Sequence, residues 1–112
     1  MPAYLIARVD VRDAARYRDY AAHTPRCVAA FGGRFIVRNG ERVVLEGPPD
    51  PRRIVVIEFP SMDLLRRFYA SPEYTRVKAL RAGAGDAEMI AIEGFSGAAW
   101  AEALAASSKL SV

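Results

Sequence analysis

The stretch Tyr4-Leu5-Ile6-Ala7-Arg8-Val9 decides the fold. In a β-strand successive side chains point to opposite faces, so the odd-numbered residues of this stretch share one face and the even-numbered residues share the other. Both faces are largely apolar, yet the second also carries the charge of Arg8. An antiparallel sheet with one face in water is polar on that face. The stretch therefore predicts a strand that is covered on both sides.

Three later runs show the same alternation with charge on the second face. They are Arg34–Arg38, Arg53–Phe59 and Glu88–Glu93. On that second face the apolar residues Ile6, Ile36, Ile54 and Val56 need a cover, and the chain is too short to supply a second layer of helices. We therefore expect a second copy of the chain to cover this face, leaving arginines and a glutamate inside the joint cavity.

Length and composition fit a single globular domain. The chain has 112 residues, of which 52% are hydrophobic and 26% charged, enough for a core and below the size at which chains split into domains. No apolar run approaches the roughly 18 residues of a membrane span, and no secretory signal is readable. Cys27 is alone, so an internal disulfide is excluded and a reducing compartment is acceptable. We expect a cytoplasmic protein with no membrane partner.

The charge of the chain does not indicate nucleic-acid binding. The net charge is +3, but the basic residues are dispersed and interleaved with acidic ones rather than gathered in a patch. No base-stacking motif accompanies them. A mixed, solvated surface is the simpler interpretation.

Helix and turn signals separate the strands in the first half of the chain. Asp13 can cap a helix with an apolar stripe at helical spacing that begins at Tyr17 and Tyr20 and packs on the sheet. Pro25 lies inside this helix and lacks an amide donor, which predicts a kink or local break near Ala21–Pro25. Asn39-Gly40 between Arg34–Arg38 and Arg42–Glu46 favours a tight turn and so predicts a hairpin of these two runs.

Two consecutive helix starts follow the Arg53–Phe59 strand. Ser61 can cap one helix, and Ser71-Pro72-Glu73 has the cap, first-turn proline and acidic residue that begin another. With the last strand, Ala87–Glu93, the order is βαββαβ. This order predicts an α+β, ferredoxin-like antiparallel sheet of four strands with the helices on one face. We place the domain at residues 1–94 and an alanine-rich tail, either a docking helix or partly disordered, at residues 95–112.

Several short strings resemble a known family. They are Gly32-Gly33-Arg34-Phe35, Glu58-Phe59-Pro60-Ser61 and Tyr69-Ala70-Ser71-Pro72-Glu73-Tyr74. At this spacing they are similar to a bacterial family of small domains of unknown function within the dimeric α+β-barrel superfamily. That superfamily includes cofactor-free antibiotic-biosynthesis monooxygenases, muconolactone isomerases and haem-dependent chlorite dismutases. The resemblance implies a homodimeric barrel but no particular reaction, because a fold hosts many functions.

Two residues are candidates for moving a proton. The carboxylate of Glu58, held between apolar residues, would have its proton affinity raised by burial and lowered by a nearby arginine, which is how a general base is tuned. His23, the only histidine, lies beside the Pro25 irregularity and is either a catalytic acid or base or an ordinary surface residue.

Seven residues are candidates for substrate binding. They are Arg8, Arg34, Arg38, Glu46, Tyr69, Tyr74 and Arg81. The arginines of the second face can grip a carboxylate or enolate oxygen, and the phenols can orient a ligand or serve as core edges. The alternative is that the charges only pair across the dimer and fix its register. A metal site is not expected, because no second histidine or cysteine cluster exists. A haem site is not expected either, because 112 residues leave little wall for a macrocycle.

These observations predict a homodimeric protein that binds a small anionic or phenolic compound without a cofactor. A cofactor-free oxygenase, isomerase or lyase is the catalytic form of this hypothesis. A non-catalytic structural or accessory dimer is the alternative. The two differ in whether the charged groups face a cavity with room for a ligand or fill it themselves.

Overall fold

A computed structural model describes residues 1–110 and contains eight elements of secondary structure in that part of the chain. The strands are β1 (Ala3–Val11), β2 (Arg34–Arg38), β3 (Arg53–Phe59) and β4 (Gly85–Glu93), and the helices are α1 (Ala14–Ala30), α2 (Met62–Ala70), α3 (Pro72–Ala79) and α4 (Gly97–Ala106). Ser111 and Val112, the end of the predicted tail, lie outside the described residues.

The strands form one antiparallel sheet in the order β2-β3-β1-β4, which is the predicted ferredoxin-like α+β fold. α1, α2 and α3 pack on one face. The core lies there, on alternate residues of β1 and β3 such as Leu5, Val9 and Ile57. Within the described residues no helix has both the length and the apolar character needed to cross a membrane.

The helix starts follow the capping signals. The Asp13 side chain accepts a hydrogen bond from the Arg16 amide at 3.1 Å, and the Ser61 hydroxyl accepts one from the Leu64 amide at 3.1 Å. Ser71 ends α2 and caps α3, because its hydroxyl donates to the Phe68 carbonyl at 2.7 Å and accepts from the Tyr74 amide at 3.1 Å. These contacts satisfy backbone groups that helix ends leave unpaired.

The predicted break at Pro25 does not occur, because α1 continues from Ala14 to Ala30. Proline cannot donate to the carbonyl four residues earlier, which here belongs to Ala21. A guanidinium nitrogen of Arg38 donates to that carbonyl at 2.9 Å. The hydrogen bond that Pro25 removes is therefore replaced from the neighbouring strand β2.

The predicted hairpin partner Arg42–Glu46 is not a strand. β2 pairs with β3 on one side, and no described strand pairs with the other side of β2. Asn39 has a left-handed backbone with φ 53°, and its side-chain oxygen accepts from an Arg42 guanidinium nitrogen at 2.8 Å. The chain is thereby turned away from the sheet, and Leu45 is 89% exposed.

A β-bulge in β2 changes the predicted face of Arg38. Phe35 lies opposite Ile57, but Val37 lies opposite Val56 and Arg38 opposite Val55. One extra residue in β2 moves everything after it to the other face. Arg38 was expected on the face without helices, and this expectation is wrong because the bulge turns the residue towards the helices.

The helix-free face, called the open face below, is apolar at its centre as predicted. Ile6 and Val56 are half-buried there, while Ile90 and Ile92 on β4 are 57% and 51% exposed. The helix α4 extends beyond the sheet with no buried residue, and its Trp100 is 59% exposed.

Candidate functional site

A narrow cavity lies between the helix-covered face of the sheet and the helices. Its floor is apolar, formed by residues such as Leu5, Val9, Val55 and Met89. We call this cavity the arginine–tyrosine pocket after its polar residues. These residues are Tyr17, Tyr20, Thr24, Arg38, Arg53 and Tyr74. The cavity measures about 30 Å³, room for about one or two water molecules, so a larger ligand needs a side chain to move.

Arg53 supplies an unpaired donor to this pocket. The residue is half-buried at the start of β3, and its Nε is buried with no hydrogen-bond partner. Its guanidinium carbon lies 5.6 Å from the centre of the Tyr17 ring, a cation–π contact. A buried donor without a partner costs free energy. A bound anion would remove that cost.

Arg38 closes the side of the pocket between β2 and α1. Its guanidinium bonds the Ala21 carbonyl of α1 and lies over the Phe35 ring at 4.7 Å from the centroid. Arg38 is opposite Val55 on the neighbouring strand, and Arg53 is two residues from Val55 on the same face. Such diagonal neighbours have Cα atoms about 7–8 Å apart. The two arginines can therefore converge on one anionic group.

A second polar group in the pocket is a pair of buried phenols. The hydroxyls of Tyr20 and Tyr74 lie 2.7 Å apart, and a guanidinium nitrogen of Arg81 donates to the Tyr20 hydroxyl at 3.3 Å. Burial raises the pKa of the Tyr74 phenol, and the neighbouring Tyr20 adds to this rise. Burial also raises the pKa of Tyr17. With raised pKa values, the phenols of Tyr17 and Tyr74 stay protonated at neutral pH and can donate hydrogen bonds.

The remaining charges predicted for the site lie on the open face. Arg34 Nε is 3.2 Å from a carboxylate oxygen of Glu58, and Arg8 Nε is 3.8 Å from one of Asp50. A hydrogen bond from Arg52 lowers the pKa of Asp50 to about 2. These pairs agree with the alternative in which open-face charges satisfy one another.

Three other predicted residues lie outside the pocket. His23 is on the exposed side of α1, where its Nδ1 is 2.7 Å from the Asp19 carbonyl oxygen. Glu46 is exposed in the loop between β2 and β3. Tyr69 is 41% exposed, with the Lys78 ammonium 4.7 Å from its ring centre. The structure therefore joins Arg38, Tyr74 and Arg81 but separates them from His23, Glu46 and Glu58. The Tyr69 ring contacts the Tyr74 ring, with centroids 5.6 Å apart, from outside the pocket.

The sequence analysis missed the role of Arg53 and treated Tyr17 and Tyr20 only as core. The sequence did contain a signal for Arg53. It is separated by two and four residues along β3 from the buried Val55 and Ile57, so it lies on the same helix-covered face. A charged residue on an otherwise apolar face is the unusual observation. The tyrosines carried no comparable signal, since a helical apolar stripe is typical of core packing.

The chain belongs to the family described as Domain of unknown function (DUF1330), whose model matches residues 2–95. No curated protein matches the sequence at a significant level.

Solved structures share the fold at low sequence identity. A protein of unknown function from Rhodopseudomonas palustris is 18% identical with a TM-score of 0.69, covering 85% of this chain and 83% of its own. SnoaB, a cofactor-independent oxygenase from Streptomyces nogalater, is 18% identical with a TM-score of 0.63, covering 83% and 92%. A dimeric ferredoxin-like protein of unknown function from Jannaschia sp. CCS1 is 12% identical with a TM-score of 0.65, covering 84% and 100%. At these identities the likeness shows the fold alone.

Proposed function

We propose that this protein is a homodimer that binds a small aromatic anion in the arginine–tyrosine pocket. The observation that carries the proposal is the buried Nε of Arg53, which has no hydrogen-bond partner and belongs to the wall of a cavity with an apolar floor. An aromatic ring suits the apolar floor, and a carboxylate or phenolate suits the two arginines.

Arg38 provides a way to admit such a ligand. In the structure its guanidinium is held by the Ala21 carbonyl, a neutral acceptor. A carboxylate is a stronger acceptor for a guanidinium than a carbonyl is. An entering anion therefore takes Arg38 from Ala21, and the movement of this side chain enlarges the narrow cavity.

The homodimer part of the proposal is supported by the apolar open face and by the fold. Ile6, Val56, Ile90 and Ile92 form an apolar surface without a cover in the single chain. The similar structure from Jannaschia sp. CCS1 is described as dimeric. A second copy covers the face, and the pairs Arg34–Glu58 and Arg8–Asp50 then lie inside the interface.

Titration with salicylate and with its neutral analogue salicylamide, followed by isothermal calorimetry, tests the ligand class. We expect salicylate to bind about tenfold or more tightly, because hydrogen bonds to a charged group contribute about 1.5–3 kcal/mol. Arg53→Met should abolish this preference. Arg34→Met, which alters an open-face arginine, should keep it. Loss of the preference in Arg34→Met but not in Arg53→Met would place the site between the two sheets and contradict the proposal.

The catalytic form of the proposal is a cofactor-free oxidation at the same pocket. In this reaction dioxygen takes two electrons and two protons from a hydroquinone, which gives a quinone and hydrogen peroxide. The reaction is supported by the Tyr20 hydroxyl, which Tyr74 and Arg81 hold in place to hydrogen-bond a substrate hydroxyl, and by the fold shared with a cofactor-independent oxygenase. Oxygen uptake with naphthalene-1,4-diol provides the test. We expect a rate above that without protein, its loss in Tyr20→Phe, and its retention in Tyr69→Phe. Equal rates with and without the protein would contradict the catalytic form and leave the binding function.

A further inference from the structure

The loop between β2 and β3 exposes an apolar segment in the single chain. We call residues 40–49 the arm, and every one of them is exposed. The arm includes Val43 and Leu45, which are 73% and 89% exposed. These two side chains therefore leave most of their apolar surface uncovered within one chain.

The opposite edge of the sheet carries a matching vacant surface. β4 is an edge strand, and no described strand pairs with its outer side. Beside it is a groove between β4 and α2, which we call the edge groove. Its walls are formed by Leu5, Leu65, Arg66, Tyr69, Met89, Ile90 and Ala91. A long apolar edge strand left bare is a template for another strand.

We propose that the arm of one subunit lies along β4 of its partner and fills the edge groove. The run Val43-Val44-Leu45 is apolar and rich in β-branched valine, as strands are, although it pairs with no described strand of its own chain. On β4, Ile90 and Ile92 already belong to the open face. An arm on this edge therefore continues the proposed interface of the two open faces.

Charge and area favour a second copy as the occupant. Arg66 on the groove can pair with Glu46 at the end of the arm, and a two-fold axis makes each such contact twice. A stable interface buries about 800 Å² per partner, roughly a tenth of the 7830 Å² that the chain exposes. The open face and the arm together offer the apolar surface for this.

The arm would also complete the ligand site. Leu5 and Met89 line both the edge groove and the arginine–tyrosine pocket, so the two cavities share a wall. A partner arm in the groove holds this wall in place and excludes water from that side. The inference rests on the proposed homodimer but not on the identity of the ligand.

Two matched substitutions test the arm by mass in solution. Leu45→Asp places a charge on the arm, and Leu110→Asp makes the same change at an equally exposed leucine, 90% against 89%. By sedimentation equilibrium we expect the wild type and Leu110→Asp at about twice the 12.3 kDa of one chain and Leu45→Asp shifted to the monomer. Both leucines are exposed in the single chain, so neither change should prevent folding.

Disulfide trapping locates the arm. Two Cys27→Ala chains, one with Val44→Cys and a mass tag and one with Ala91→Cys, are mixed and oxidised. We expect a mixed disulfide, and none when Leu110→Cys replaces Ala91→Cys.

A dimer without the mixed disulfide, or a dimer unchanged by Leu45→Asp, would overturn the arm exchange alone. A monomeric wild type would overturn the arm and the proposed dimer together, while salicylate binding would still be tested independently.

Discussion

At the scale of single residues, Pro25 and Arg38 form a unit that spans two elements. Pro25 leaves the Ala21 carbonyl without its helical donor, and Arg38 supplies one from β2. The same contact holds Arg38 at the side of the pocket. A local defect in α1 thus positions a ligand-binding side chain, which explains how the helix tolerates an internal proline.

Because Arg38 bonds the carbonyl that Pro25 leaves without a donor, we expect substitutions of Arg38 and Pro25 to have non-additive effects on the free energy of unfolding. Arg38→Met should cost about 0.5–1.5 kcal/mol in the free energy of unfolding, because it removes one hydrogen bond. In a Pro25→Ala background, where residue 25 regains its amide donor, the same change should cost about half as much. Urea unfolding of the four proteins measures this coupling. Equal costs of Arg38→Met in the two backgrounds would contradict the unit.

The lowered pKa of Asp50 predicts that part of the stability of the fold is lost in acid. Hydrogen bonding from Arg52 lowers its pKa from the ordinary 3.8 to about 2 in the folded protein. A carboxyl group with a lowered folded pKa stabilises the protein above its unfolded pKa, and this contribution is lost as the pH falls through the folded value. We therefore expect part of the stability to disappear between about pH 4 and pH 2.

Melting temperatures of the wild type and Asp50→Asn across this pH range measure that component. The variant should melt lower than the wild type at pH 6, and the two should converge near pH 2. Asp10→Asn is a suitable control, since none of the salt bridges among residues 1–110 involves Asp10. A constant difference between wild type and Asp50→Asn at all pH values would contradict the assignment.

At the scale of elements, Ser71 decides where Tyr74 lies. Its hydroxyl ends α2 and begins α3 within one buried residue, so the direction of α3 and the place of Tyr74 in the pocket depend on it. Ser71→Ala should lower the free energy of unfolding by about 1–2 kcal/mol. Ser96→Ala removes the cap of the exposed helix α4 and should cost much less. Equal costs in urea unfolding would contradict this role.

Most elements could be predicted from the sequence because their signals are local. The alternation of Tyr4–Val9, the cap at Asp13 and the serine at residue 71 each act within a few residues, and the structure confirms the elements they predict. The face of Arg38 could not be predicted, since it depends on a bulge set by pairing between β2 and β3. The strand predicted at Arg42–Glu46 is absent because the chain turns away from β2 at Asn39, and that turn involves a side-chain contact with Arg42 that the dipeptide signal does not show.

At the scale of the whole molecule, the single chain divides into a packed body and surfaces without cover. We propose that the domain ends near Gly94, as the sequence analysis placed it. Deletion of residues 96–112 should then leave the fold intact, because no residue of α4 is buried. Circular dichroism melting measures this. A truncated chain without a cooperative transition would contradict the boundary.

In the proposed dimer the two faces of the sheet have separate roles. The helix-covered face holds the arginine–tyrosine pocket, and the open face with its paired charges is the proposed subunit interface. The charges that the sequence analysis gathered into one site are divided in the structure, with Arg38 at the pocket and Arg8, Arg34 and Glu58 on the open face.

Native mass spectrometry of the protein with salicylate tests the central claim, because it reads assembly and ligand binding together. We predict a species at about twice the 12.3 kDa of one chain that carries one salicylate per subunit, and a dimer of Arg53→Met that carries none. A monomer, or a dimer whose salicylate binding is unchanged by Arg53→Met, would contradict the claim.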